Sequence, residues 1–190
     1  MDLLAAFEDS ARIKRAFAAS HGAQVERAAA MLVECFRAGG QVLLFGNGGS
    51  AADAQHIAAE WTGRFRRERP GLPAIALNAN SSELTAIGND YGFERVFARG
   101  VEAHGRAGDV AIAISTSGRS PNVLAAVREA KGRGLVTLGL TGKDGGELAG
   151  LADIAFVVPS DRTDRIQECH ITLLHVLCEL VDEALFPGAS

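Results

Sequence analysis

The sequence predicts a three-layer α/β/α fold, in which a five-stranded parallel sheet carries helices on both faces and follows an N-terminal helical pair. Three observations carry this reading. Five short runs, QVLLFG (41–46), PAIAL (73–77), DVAIAIS (109–115), LVTLGL (135–140) and IAFVVP (154–159), are apolar almost without interruption, as strands covered on both faces are. Helical patterns separate them near 50–65, 80–87, 93–104, 121–132 and 145–150, and a last long helix runs over about 164–185. Strands that alternate with helices build a parallel sheet. Residues 2–38 precede every strand and read as two amphipathic helices, with a break expected near Ser20–Gly22. The first carries Leu3, Leu4, Phe7, Ile13 and Phe17, and the second Val25, Ala29, Leu32, Val33 and Phe36, spaced as apolar stripes. This pair is free to pack on the domain or on another subunit.

The 190 residues suit one domain, 1–190, with residues 1–38 as its helical pair and 39–190 as its α/β core. Hydrophobic residues make up 47% and charged residues 22%, an ordinary globular balance. A net charge of −4 gives no electrostatic footprint for nucleic acid. The basic stretch Arg64–Arg69 reads mostly as a solvated helix end. Cys35, Cys169 and Cys178 form no CxxC pair and fall in apolar helical patterns, so buried reduced thiols in a cytoplasmic protein are expected. The N-terminus lacks the long apolar core of a signal peptide, and no apolar run reaches membrane-spanning length.

In an open parallel sheet, ligands bind beyond the carboxyl ends of the strands. Two unusual loops fall there. STSGRSPN gathers hydroxyls just before a helix, with Ser120 as the expected N-cap and Pro121 at the first helical position. Free N–H groups and the helix dipole favour an anion at such a start. Ser115, Thr116, Ser117 and Ser120 can add hydroxyls around one phosphate; a capped turn with incidental serines is the alternative. GNGGS, with Gly46, Gly48 and Gly49, permits close backbone approach or simply a sharp strand-to-helix turn. Ser50 is its expected cap, with Asp53 three residues on. Neither a Walker lysine nor GxGxxG is present, which argues against a nucleotide.

Beyond GNGGS, His56 and Glu60 are four residues apart and share a helix face. They suit a metal or acid–base work, or else a surface ion pair. Arg64 is expected to continue that face toward an anionic substrate. The final helix places Asp164, Gln167, His170 and His175 in an apolar setting, with a capping role suited to Asp164 and Gln167.

Taken together, GNGGSAADAQH, EWTGR, RPGLPAIAL, GNDYG, ISTSGRSPNV, LTGKDGGELAG and DRIQECHI resemble the sugar isomerase (SIS) domain family over nearly the whole chain. More narrowly, the chain resembles the branch of that family that isomerises sedoheptulose 7-phosphate. The resemblance implies the SIS fold, a homotetramer assembled partly through N-terminal helices, and one Zn²⁺ per subunit. Its implied zinc ligands are His56, Glu60, Gln167 and His175, with Glu60 and His175 as the acid–base pair. Asn47, Gly48, Gly49 and Ser50 match the first substrate loop, and Ser115, Thr116, Ser117 and Ser120 the phosphate loop. Asn89, Asp90, Glu60 and Gln167 match substrate contacts, and Arg64 a supporting position. Arg119 departs from the pattern, standing where a smaller polar residue is usual. The implied reaction is an aldose–ketose isomerisation giving D-glycero-D-manno-heptose 7-phosphate, the first step of bacterial ADP/GDP-heptose synthesis for lipopolysaccharide. No nucleic acid or membrane partner is implied. The alternative is a non-catalytic paralogue that binds a replication initiator. It typically lacks the counterparts of Glu60 and His175, and this sequence has both.

Overall fold

The computed structural model describes residues 2–188; the expected domain limits at Met1 and Ser190 lie outside the described residues. Strands β1 (Val42–Gly46), β2 (Ala74–Ala76), β3 (Val110–Ile114), β4 (Val136–Gly142) and β5 (Ile154–Val158) form one sheet in the order β2-β1-β3-β4-β5, with every neighbouring pair parallel. Alternation along each strand decides which helices cover which face. Val42, Leu44, Val110, Ile112 and Ile114 enter one core, beneath α1 (Leu3–Arg37), α2 (Gly49–Thr62) and α7 (Thr163–Leu185). Leu43, Phe45, Ala111 and Ala113 enter the other, beneath α4 (Val96–His104) and α5 (Pro121–Gly132), flanked by α3 (Ser81–Tyr91) and α6 (Gly146–Leu151). Each large apolar side chain fully buried this way contributes roughly 1.5–3 kcal/mol relative to exposure.

The expected break near Ser20–Gly22 does not occur, and the N-terminal pair is one 35-residue helix. Ser20 turns its hydroxyl back onto the carbonyls of Ala16 and Phe17, both at 3.1 Å. The His21 ring stacks on Phe17 with centroids 4.3 Å apart. A glycine within a helix costs only about 1 kcal/mol relative to alanine. Burial of Ile13, Phe17, Leu32 and Phe36 along the same helix outweighs that. The helix expected over 93–104 opens as a 3₁₀ turn, Phe93–Arg95, before α4. All three cysteines are buried and free.

From β1 the chain passes to β2 on one side, whereas β3 pairs with β1 on the other. The carboxyl ends of β1 and β3 therefore flank a topological switch point, where a crevice opens.

Candidate active site

The loops after β1 and β3 face each other across this switch point. In the first, the chain turns earlier than expected. Gly48 is the N-cap of α2 and takes φ +57°, a left-handed conformation, and no side chain caps the helix. Ser50 lies buried inside the first turn, so the expected Ser50 cap with Asp53 is not formed. At Gly49 a Cβ atom would stand 2.0 Å from Nε2 of Gln167. Only glycine there lets the Gln167 amide of α7 lie against the head of α2.

In the second loop, Ser120 does occupy the N-cap of α5 and Pro121 the first helical position, but the Ser120 hydroxyl caps nothing. It instead bonds the buried Ser115 hydroxyl at 3.0 Å. Gly118, at φ +65°, would place a Cβ atom 2.0 Å from the Gly145 carbonyl oxygen, so the loop packs directly on the segment before α6. The Gly118 carbonyl also accepts from the Leu148 N–H at 3.0 Å. Arg119 forks onto Asp144, with one contact at 2.8 Å. That guanidinium, first by its hydrogen bond, holds the Asp144 carboxyl well below the usual range. Arg119 thus joins two loops, rather than standing unpaired in solvent.

Three donors from two helices converge nearby. His56 Nε2 is 3.2 Å from Glu60 Oε1 and 3.0 Å from His175 Nε2. One suitable atom from each of the three residues lies within 4.8 Å of the others. Ligand atoms each about 2.1 Å from a tetrahedral zinc stand roughly 3.4 Å apart, so this N/N/O group has the spacing and chemistry to hold such an ion. Phe65 stacks on the His175 ring at 5.5 Å, with 12° between planes. Burial, then the neighbouring His56 charge, pushes the His175 pKa down against the pull of Glu60. A neutral imidazole, with a lone pair to offer, is the favoured form.

The remaining expected residues divide. Gln167 meets Gly49, about 10 Å along α2 from His56 by helical rise, so the two ends of α2 receive different parts of α7. Arg64 does not continue the His56–Glu60 face, because α2 ends at Thr62 and Gly63 caps it. Its guanidinium is exposed, 3.7 Å from Glu68. Asn89 and Asp90 lie exposed in the last turn of α3 and bond each other at 2.8 Å; among the described residues no hydrogen bond joins them to either loop. Asp164 does not cap α7, whose N-cap is Arg162; the two form an ion pair at 2.6 Å. His170 is buried and bonds the Thr141 carbonyl at 3.0 Å.

Two further residues, Asn122 and Phe65, have no signal of their own in the sequence, and Asp53 reads there only as part of a cap. Asn122 pairs with Asn47 from 75 positions away. Phe65 lies in a stretch read for its arginines. Asp53 has one buried carboxylate oxygen without a partner among the described residues. Desolvation raises its pKa, against the lowering effect of His56.

Comparison with known proteins agrees with this architecture. The SIS domain family model matches residues 7–142. The phosphoheptose isomerase of Roseiflexus sp. (strain RS-1) is 57% identical over 179 residues, 94% of this chain and 91% of that protein. The structure of phosphoheptose isomerase from Neisseria gonorrhoeae superposes with a TM-score of 0.90 at 46% identity, covering 95% of this chain and 97% of that one. That from Francisella tularensis gives 0.91 at 40% identity, covering 95% and 96%. With five parallel strands, both loops and this level of identity to an established enzyme group, the chain belongs to the SIS domain family and is a sugar-phosphate isomerase of the phosphoheptose isomerase type.

Proposed function

We propose that this enzyme interconverts sedoheptulose 7-phosphate and D-glycero-D-manno-heptose 7-phosphate through an enediol(ate). The observation that carries the reading is the meeting of Glu60 Oε1, His56 Nε2 and His175 Nε2 from α2 and α7. A carboxylate and an imidazole side by side are what proton transfer between adjacent carbons requires. The hydroxyls of Ser115, Thr116, Ser117 and Ser120, at the start of α5, anchor the phosphate, which orients the far end of the sugar for reaction. Asn47, Gly48, Gly49 and Ser50 receive the sugar chain, with Gln167 against them. Asn89, Asp90 and Arg64 contribute once substrate is bound.

Glu60 takes a proton from C1 of the ketose and returns it at C2. His175 carries the accompanying proton between the two oxygens, so the aldose and ketose differ only in where hydrogens sit. One Glu60 oxygen faces the histidine nitrogens, leaving the other for the proton. His56, Glu60 and His175 would hold zinc, and Gln167, which rests against Gly49, would join them as a fourth donor only by turning its amide toward them. When bound, zinc would polarise the carbonyl oxygen and ease the charge that develops there.

The wider context belongs to the same reading: a cytoplasmic homotetramer that starts bacterial heptose synthesis for lipopolysaccharide. Free buried cysteines suit a reducing compartment. Among the described residues no helix is long and apolar enough to cross a membrane. Leu3, Leu4 and Phe7 are 69%, 64% and 70% exposed, an apolar end of α1 that another subunit would cover. Incubating the purified protein with sedoheptulose 7-phosphate and identifying the product by NMR tests the substrate. Wild type that neither turns over nor exchanges its C1–C2 hydrogens with deuterium, yet binds a replication initiator tightly, would overturn it.

A further inference from the structure

Asn47 and Asn122 form a closed amide pair across the switch-point crevice. Asn47 Nδ2 donates to Asn122 Oδ1 and Asn122 Nδ2 donates to Asn47 Oδ1, both at 2.9 Å. Asn122 is 3% exposed. Its Oδ1 also accepts from the Val123 N–H at 3.0 Å, which fixes the way the amide faces. That N–H is one of the donors a helix start leaves without an intrahelical partner. One side chain therefore finishes the head of α5 and holds the loop after β1. The strands beneath are already in register, with Gly46 opposite Ile114. Among the described residues no backbone hydrogen bond joins the two loops beyond the strand ends, and this amide pair continues the connection. A crevice of about 290 Å³ opens beside it, lined by Asn47, Phe93, Glu94, Ser120, Pro121 and Asn122.

We infer that Asn122 is a positioning residue for the isomerisation. It fixes the sugar-binding loop, Asn47–Ser50, at a set distance from the phosphate-binding loop, Ser115–Ser120. This rests on the proposed function, because the two loops must grip one substrate for their separation to matter. The Asn47 amide is committed to Asn122 on both its oxygen and its nitrogen. Asn47 keeps its second amide hydrogen and second lone pair for substrate, and the pair holds the backbone around Gly48 and Gly49 in place beside them. A phosphate anchored at α5 then delivers the sugar's far end to Glu60 and His175 only if the first loop stays where it is. Misplacement of about 1 Å at a remote position can cost roughly 10²-fold in rate.

The experiment is a double-mutant cycle on the full-length, metal-loaded enzyme with Asn122→Ala, Asn47→Ala and both together. For Asn122→Ala, the expected result is a fall in kcat of roughly 10- to 100-fold. Inhibition by inorganic phosphate should change less than about threefold, because the hydroxyls of the anchor remain. In the Asn47→Ala background the same substitution should have little further effect, since its target is gone. Should Asn122→Ala fail to fold, Asn122→Ser, which keeps an acceptor at the helix start, is read instead. Independent, multiplying effects of the two substitutions would overturn the inference. So would a kcat unchanged beside a lower melting temperature. Turnover by wild type with an unaffected Asn122 variant overturns the positioning role alone. No turnover of sedoheptulose 7-phosphate by wild type overturns the proposed substrate, and this role with it.

Discussion

Two imidazole nitrogens 3.0 Å apart cannot both point a proton at one another. Either one donates to the other's lone pair, or both offer lone pairs to a cation between them, with the Glu60 oxygen as a third donor. The second arrangement predicts that His56→Ala loses most bound zinc while keeping its melting temperature within a few degrees, since the His56 side chain is half exposed. Elemental analysis of folded protein checks this, and an unchanged zinc content would contradict a ligand role. Glu60→Gln separates charge from shape. The variant should fold and bind phosphosugar, yet lose about 10²–10⁴-fold in kcat together with solvent-deuterium exchange at C1–C2. A rate equal to wild type would remove Glu60 as the base and leave the enzyme class standing. The i,i+4 spacing of His56 and Glu60 made this half of the cluster legible in the sequence. Linking it to His175, 119 residues away, took the family resemblance. Neither spacing nor resemblance pointed to Phe65 or Asn122, whose contacts exist only once distant segments meet.

At the scale of elements, the His56–Glu60–His175 group depends on how α2 and α7 are held together, and Arg69 does much of the holding. Its side chain is fully buried. It donates to Asp182 of α7 at 2.7 Å, and to the carbonyls of Glu60 and Trp61 at 2.9 Å each. The carbonyls that the end of α2 leaves open are thereby satisfied by a cation tied to α7. Removing one partner of such a pair leaves a buried charge uncompensated, at a cost of about 3–5 kcal/mol. Arg69→Met should lower stability by that amount in urea denaturation, and Arg69→Met with Asp182→Leu should recover part of it. A single variant as stable as wild type would show the clamp to be dispensable. In the sequence Arg69 lies within a run of arginines that reads as solvated, and for its exposed neighbours Arg64 and Arg66 that reading is correct. What sets Arg69 apart is the aspartate 113 residues later, which local pattern does not show. Strands were legible for the opposite reason. A strand covered on both faces is apolar at nearly every position, so β1, β3 and β4 announce themselves without knowledge of their partners. The Ser20–Gly22 break misled because local helix-breaking preference is small beside the tertiary contacts of α1 along its whole length.

One buried imidazole contributes to the stability of the whole molecule against acid. His170 sits between α7 and the end of β4, with Nε2 on the Thr141 carbonyl and Nδ1 buried without a partner among the described residues. Burial pushes its pKa from 6.5 down to about 4, although the Thr141 bond opposes this. Protonating Nδ1 would bury a charge and an unanswered donor. The unfolded chain takes up this proton below about 6.5, while the fold refuses it until about 4. Stability from this group is therefore complete above pH 6.5, declines as pH falls toward 4, and then levels off. The change is on the order of 3 kcal/mol at 1.36 kcal/mol per pKa unit. His170→Gln keeps a donor for Thr141 and removes the titration. Urea denaturation of both proteins at pH 7.0, 5.5 and 4.5 separates this site from the carboxylates, which titrate in each. Protein concentration must be held fixed, because assembly adds its own free energy to the measured value. Wild type should lose more stability than His170→Gln between the first and last of these conditions. Parallel pH profiles for the two proteins would mean that the imidazole takes up its proton inside the fold as readily as in the unfolded chain, and that its burial adds nothing to acid sensitivity.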